Sequence, residues 1–186
     1  KAVAGLGKAY ETLKIGVKPY PSCRYTHAAL DALIAMRRSH NLTPDQIKRV
    51  EIGLHRNGIT LTGDAATKRH PTSIVGGQFS MFFTGALALD QGRFGWDDYA
   101  RLGDAAIDAL ADKIDVVQDD RLEIGRTHPF GARVTVTTDD DTVHEELYPD
   151  PSGEPTSFPD AAAMRQKFLT LARPVLDGGA EKFADA

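Results

Sequence analysis

Residues 130–149, FGARVTVTTDDDTVHEELYP, restrict the fold more than any other stretch of the chain. Ala132, Val134 and Val136 alternate with Arg133, Thr135 and Thr137, and Val143, Glu145 and Leu147 follow a three-aspartate turn. Successive side chains of a strand point to opposite faces, so this is the pattern of a β-hairpin. Its apolar face must be covered by another element. IKRVEIGLH (47–55) has the same period, with Val50, Ile52 and Leu54 set against Arg49, Glu51, Gly53 and His55, and IDVVQDD (114–120) reads as a short strand. After a short helical or turn opening, YETLKIGV (10–17) carries Leu13, Ile15 and Val17 at alternate positions, so a half-buried strand is expected to run straight into Lys18.

Segments of helical period supply the cover. HAALDALIAMRRSH (27–40) places Leu30, Leu33, Ile34 and Met36 at helical spacing, with Thr26 as the expected N-cap and Arg37 and Arg38 suited to the C-terminal dipole. QFSMFFTGALALDQG (78–92) sets Phe79, Phe82, Phe83, Ala86 and Leu87 on one face and Gly92 as C-cap, a helix expected to be largely buried. WDDYARL and DAAIDALADKI read as two short helices broken at Gly103, the second capped by Asp104. Beyond the Pro/Gly linker DPSGEPTSFP, a last helix carries Met164, Phe168, Leu171 and Val175 on one stripe and is kinked or ended near Pro174. NGITLTGDAATKRHPTSIVGG (57–77) has turn residues throughout and little periodicity, which predicts a long functional or mobile connection. No internal repeat is visible. Strands and helices without regular alternation give an α+β fold, an antiparallel or mixed sheet covered by helices.

At 186 residues and 41% hydrophobic, the chain supports one main domain, drawn at 1–155, followed by a helical segment at 156–186. The 22 basic and 26 acidic residues give a net charge of -4, which excludes a broad nucleic-acid footprint. Cys23 is the lone cysteine, so no internal disulfide forms and a cytoplasmic setting is expected. No apolar run approaches the roughly 20 residues a membrane span needs. The chain opens KAVAGLGKAYE without an initiator methionine, as a processed, clipped or partial product would.

Several motifs fail on inspection. AGLGKAY lacks the first glycine of a phosphate loop, where Ala2 stands, and has Ala9 in place of the Ser or Thr after the lysine. The six histidines, at 27, 40, 55, 70, 128 and 144, fall singly and form no metal-binding pair, so no metal is expected. The acidic run from Asp139 to Glu146 lacks the pattern of a calcium loop and reads as a solvated turn. GGQFS (76–80) offers backbone N–H groups at a helix start to an anion, although loop-to-helix punctuation explains the glycines equally well.

KPYPSCRYTH (18–27) is denser in chemistry: a lysine, two prolines, two tyrosines, the cysteine and a histidine within ten residues. The prolines impose an extended loop. Cys23 is open to two readings, a small buried filler or a thiol activated by the nearby helix start and Lys18. Tyr20 and Tyr25 either pack or line a pocket. His27 sits in the first turn of its helix on the stripe of Leu30 and Ile34, so it should point inward. A positive helix terminus and a nearby lysine disfavour the imidazolium, leaving a neutral ring able to accept or donate a proton. A capping or hydrogen-bonded core histidine is the competing reading.

KPYPSCRYTHAALDAL, then IKRVEIGL, HPTSIVGGQFSMFFTGALALDQGRF, FGARVTVTTDDDTV and PSGEPTSFPDAAAMRQKF together resemble the carboxy-terminal part of the MmgE/PrpD family, which includes 2-methylcitrate dehydratase, cis-aconitate decarboxylase and iminodisuccinate epimerase. The resemblance covers nearly all of the chain. It implies a lid-type α+β domain whose last helix returns to an all-helical domain lying outside this chain. It also implies a cofactor-independent lyase or isomerase, 2-methylcitrate dehydratase-like, acting on a small polycarboxylate by acid/base chemistry next to a carboxylate. Epimerase-like and decarboxylase-like chemistry are the alternatives, and a noncatalytic association module is the alternative of another class. On this resemblance Lys18 and His27 are the candidate catalytic residues, Tyr20, Cys23 and Ser80 the candidate substrate-binding residues, and the partners are the N-terminal helical domain of the same enzyme and a second copy in a homodimer, with neither nucleic acid nor membrane.

Overall fold

A computed structural model describes residues 5–8, 10–123 and 130–186; His128 and parts of the expected opening segment lie outside the described residues. The chain divides into two units, Tyr20–Pro151 and a smaller one made of the residues up to Pro19 with Ser152–Ala186.

The larger unit is α+β. Its sheet contains β1 (Ile47–Leu54), β2 (Ile114–Gln118), β3 (Ala132–Thr138) and β4 (Val143–Tyr148), in the spatial order β2-β1-β3-β4. β1 runs parallel to β2 and antiparallel to β3, and β3 and β4 form the expected hairpin, so the sheet is mixed. Val50 lies opposite both Ile114 and Val136, Ile52 opposite Val134, and Leu54 opposite Ala132. This register brings the apolar residues of neighbouring strands onto one face, where burial removes them from water.

Two helices occupy that face. α1 (His27–Ser39) packs against β3 and β4, and α5 (Met81–Gln91) packs against β2 and beside α1. Every residue of α5 from Met81 to Leu89 is buried, as expected of a helix that is apolar around its whole circumference. Gly92 ends it in the left-handed conformation. α6 (Ala105–Asp112), capped by Asp104, flanks α5.

Between β1 and α5 the chain is not the irregular connection its composition suggests. It forms α2 (Arg56–Gly58), a π turn (Ile59–Gly63), α3 (Ala65–Lys68) and α4 (Ile74–Gln78). Each short helix begins at a side-chain cap: His55 Nδ1 accepts from Asn57 N at 3.1 Å, Asp64 Oδ1 from Ala66 N at 3.2 Å, and Ser73 Oγ from Gly76 N at 3.1 Å. α4 stops at Gln78 and α5 starts at Met81, so Phe79, expected on the buried face, falls in the break and stays exposed.

The opposite face of the sheet is charged. Arg133 donates to Glu51 Oε1 at 2.7 Å, to Asp119 Oδ2 at 2.8 Å and to Thr135 Oγ1 at 2.7 Å, while Arg49 pairs with Asp115 and Glu51. Hydrogen bonds from Arg121 first, and also from Arg133, hold the Asp119 carboxyl well below the usual carboxylate range despite its burial.

The smaller unit contains α7 (Ala161–Leu176) and α8 (Ala180–Ala184). α7 runs through Pro174 to Leu176 rather than ending before the proline. The strand expected over 10–17 is absent: Glu11–Lys14 form a 3-10 turn, and the extended residues after it join no sheet, Val17 N donating instead to Gly153 O at 2.8 Å.

Candidate functional site

The segment carrying the candidate residues straddles the two units. Lys18 belongs to the smaller one, where its carbonyl accepts from Lys167 Nζ at 2.6 Å. Its neighbours Val17 and Pro19 line a hollow of about 340 Å³ together with Gly153, Met164 and Lys167. Tyr20, Cys23, His27 and Ser80 belong to the α+β unit.

Residues 20–27 form a tightly bonded loop. Cys23 N donates to Gln78 O at 2.8 Å, and Tyr99 donates its hydroxyl to Pro21 O at 2.7 Å. Tyr99 reaches that carbonyl by passing Gly77, where an added Cβ would lie 3.0 Å from the Tyr99 ring and 3.2 Å from the Phe83 ring. A short 3-10 turn, Arg24–Thr26, then leads into α1. Thr26 stands at the expected N-cap position but makes no capping bond. Its Oγ1 donates backward to Cys23 O at 2.9 Å, so the 2.8 Å contact with Ser22 Oγ has Ser22 as donor.

His27 is 0% exposed at the first position of α1. Its Nδ1 lies 3.0 Å from Arg24 Nη1 and its Nε2 lies 3.3 Å from Ser22 O. A guanidinium can only donate and a carbonyl can only accept, so this geometry assigns a neutral ring with its proton on Nε2 and its lone pair on Nδ1. The inward histidine expected from its place on the helix is present, and a protein group faces each nitrogen.

Tyr20 covers one side of this imidazole, its ring edge-on at 5.3 Å between centroids, and stacks on Phe94 at 6.3 Å. Its hydroxyl donates to Asp31 Oδ1 at 2.7 Å. Burial first, and the Asp31 carboxylate second, push the phenol above its ordinary value, so Tyr20 is a fixed neutral donor. Tyr25 stacks on His55 and lies tilted against Phe130, at 4.9 Å between centroids. Cys23 is half-buried. Ser80 is fully buried: its hydroxyl accepts from Phe83 N at 2.9 Å, capping α5, and donates to Lys68 O at 2.5 Å.

Sequence reasoning missed the supports of this loop. Arg24 lies three residues before His27, a spacing that could have been read as a pair. Tyr99 and Asp31 carry no local signal, because their roles depend on tertiary placement. Nor did His55 stand out: its Nε2 lies 2.9 Å from Glu123 Oε2 and its Nδ1 accepts from Asn57 N, which makes it another internally bonded imidazole. Among the described residues no group of three or more His, Cys, Asp or Glu is placed to hold a metal ion, and no helix is long and apolar enough to cross a membrane.

A family model described as the MmgE/PrpD C-terminal domain matches residues 20–186, from the first residue of this loop to the end of the chain. The chain belongs to the MmgE/PrpD family. The family match begins at Tyr20, so Lys18 stands two residues before it. A curated relative, the cis-aconitate decarboxylase-like protein oryM of Aspergillus oryzae, is 27% identical over 184 residues, which make up 95% of this chain. The chain spans 38% of that relative's length.

Proposed function

We propose that this chain is the C-terminal part of a lyase or isomerase that acts on a small polycarboxylate through proton movement next to a carboxylate. The observation that carries the reading is the loop at 20–27, which the family match includes and in which a buried neutral imidazole is held in one tautomer beside an ordered guanidinium. A site prepared this way spends little reorganisation when charge develops on a substrate. Lys18 contributes an ammonium as a point charge for a carboxylate oxygen, and His27 contributes a ring for acid/base exchange once substrate draws Arg24 away from its Nδ1. Tyr20 and Cys23 shape the loop's substrate side, and Ser80 braces it from behind. The remaining walls come from an N-terminal helical domain of the same enzyme, which works in the cytoplasm as a homodimer.

Within this class, dehydration of a 2-methylcitrate-like hydroxy acid requires removal of a proton beside a carboxylate and departure of the hydroxyl. The name of the Aspergillus oryzae relative favours a second reading, decarboxylation. There the bond to one carboxylate breaks, carbon dioxide leaves, and a proton is delivered to the carbon that held it.

The complete enzyme tests both. Turnover of 2-methylcitrate, and carbon dioxide release from cis-aconitate, are measured for the parent protein and for Lys18→Ala and His27→Ala. Each variant is expected to lose about 100-fold or more in kcat while its fold is retained. Parent-like rates in both variants would remove these residues from the mechanism, and a parent enzyme inert toward every polycarboxylate tried would remove the substrate class.

A further inference from the structure

We propose that the hollow between the C-terminal ends of α1 and α5 binds a small organic carboxylate, at a place distinct from the loop that carries His27. The hollow encloses about 390 Å³ and is lined by Arg37, Arg38, Asn41, Gln91 and the apolar Ile34 and Leu42, among others. That volume lies within the range of about 300–1,000 Å³ typical of small-ligand sites. His27 and Ser39 are the two ends of α1, twelve residue steps or roughly 18 Å apart, so the hollow sits at the far end of the helix from the imidazole.

Charge is the first argument. No carboxylate lines the hollow. Neither Arg37 nor Arg38 forms an ion pair among the described residues, although the chain as a whole carries a net charge of -4. Arg37 is spent on backbone, donating to Leu42 O at 2.6 Å and to Asp90 O at 2.8 Å. The second bond takes up a carbonyl in the last turn of α5, where the helix dipole would otherwise oppose an anion, and the first ties down the turn that follows α1. Arg37 is thereby a fixed positive wall, and Arg38 keeps a guanidinium fork of the shape that grips a carboxylate through two parallel hydrogen bonds.

Hydrogen bonding points the same way. Gln91 Nε2 is buried and has no hydrogen-bond partner among the described residues. Thr43 is already engaged with Gln46, its N and Oγ1 lying 3.0 and 3.1 Å from Gln46 Oε1. The exposed side-chain donors left for a ligand in this lining are Arg38 and Asn41. Gly92 is part of the construction as well as the stop of α5. Its φ of 66° suits glycine, and an added Cβ would stand 3.2 Å from Arg37 Nε, pressing on that side chain. Donors and positive charge in the same lining as the apolar Ile34 and Leu42 specify a carboxylate on a short hydrocarbon rather than a bare inorganic anion.

Titration of the full chain with butyrate, citrate and inorganic phosphate tests the site, with the Ile34 methyl resonance as the local reporter and heat of binding as the second readout. This readout is independent of turnover, so it stands whatever the enzyme's substrate proves to be. The expected result is a saturable shift with butyrate or citrate that weakens as salt is raised from about 0.05 to 0.5 M. Arg38→Gln, at an exposed position, should weaken binding at least about tenfold without disturbing the fold, and Gln91→Leu should weaken it less. No saturable shift of Ile34, an unchanged titration in Arg38→Gln, or binding of phosphate alone would each overturn the assignment.

Discussion

The two units of the chain treat their apolar side chains in opposite ways. In the α+β unit the large side chains of the central helices and strands are covered, with Phe82 and Phe83 each 1% exposed and Leu30, Leu33, Ile52 and Leu87 completely buried, while Val75, Phe79, Trp96 and Val143 are exposed at its periphery. In the smaller unit Val175 is 81% exposed and Phe183 70%, with Phe158 and Leu171 also open, and on α7 Leu169 is the residue that is buried. The first pattern is that of an element set with enough partners to complete a core. The second is that of helices whose apolar stripe exceeds what their own unit covers.

Substitutions can break or sharpen that contrast. Phe82→Ala is expected to have the largest effect, about 3–5 kcal/mol lost in chemical denaturation, because α5 is enclosed on every side and the cavity has little to collapse into. Asp119→Ala should follow at about 3 kcal/mol, since it removes a carboxylate that pairs with the largely buried Arg133 on the outer sheet face. The same residue predicts a pH dependence. The folded pKa of Asp119 lies below its unfolded value, so its contribution is fully present above the unfolded value of about 4 and is lost as pH falls through the lower folded one. Asp119→Asn should therefore flatten the fall of the urea midpoint between about pH 4 and pH 2. Ser80→Ala should cost about 1 kcal/mol, the typical value of a helix cap, with the near-ultraviolet circular dichroism spectrum unchanged. Phe183→Ser should fall within about 0.5 kcal/mol of the parent. A loss near that of Phe82→Ala would show that the smaller unit holds a completed core of its own and would erase the contrast.

The same difference explains what could be read from sequence. β1, the hairpin, α1, α5 with its Gly92 stop and α6 with its Asp104 cap were legible because each combines a clean period with local punctuation, and the register then follows from the need to bury one face. Residues 10–17 misled because three alternating apolar side chains do not make a strand without a neighbour to bond, and Val17 found Gly153 instead. The segment after β1 misled in the other direction. Its helices are too short to show a period, and their signals were the caps His55, Asp64 and Ser73. At the candidate site, the inward placement of His27 followed from helix geometry. Arg24 on its Nδ1, Tyr99 on Pro21 O and Asp31 on Tyr20 did not, because contacts across the fold leave no trace in neighbouring residues.

The parallel pairing of β1 with β2 also sets an order of events during folding. The hairpin can close early from neighbouring residues, whereas β1 meets β2 only after residues 55–113 have been looped out, a closure that is entropically costly and slow. Gln78 and Tyr99, the two anchors of the loop at 20–27, both lie inside that excursion. A newly made chain therefore orders the loop at 20–27 among the last things it builds, and partly folded molecules that already show helix and hairpin would still lack its anchors.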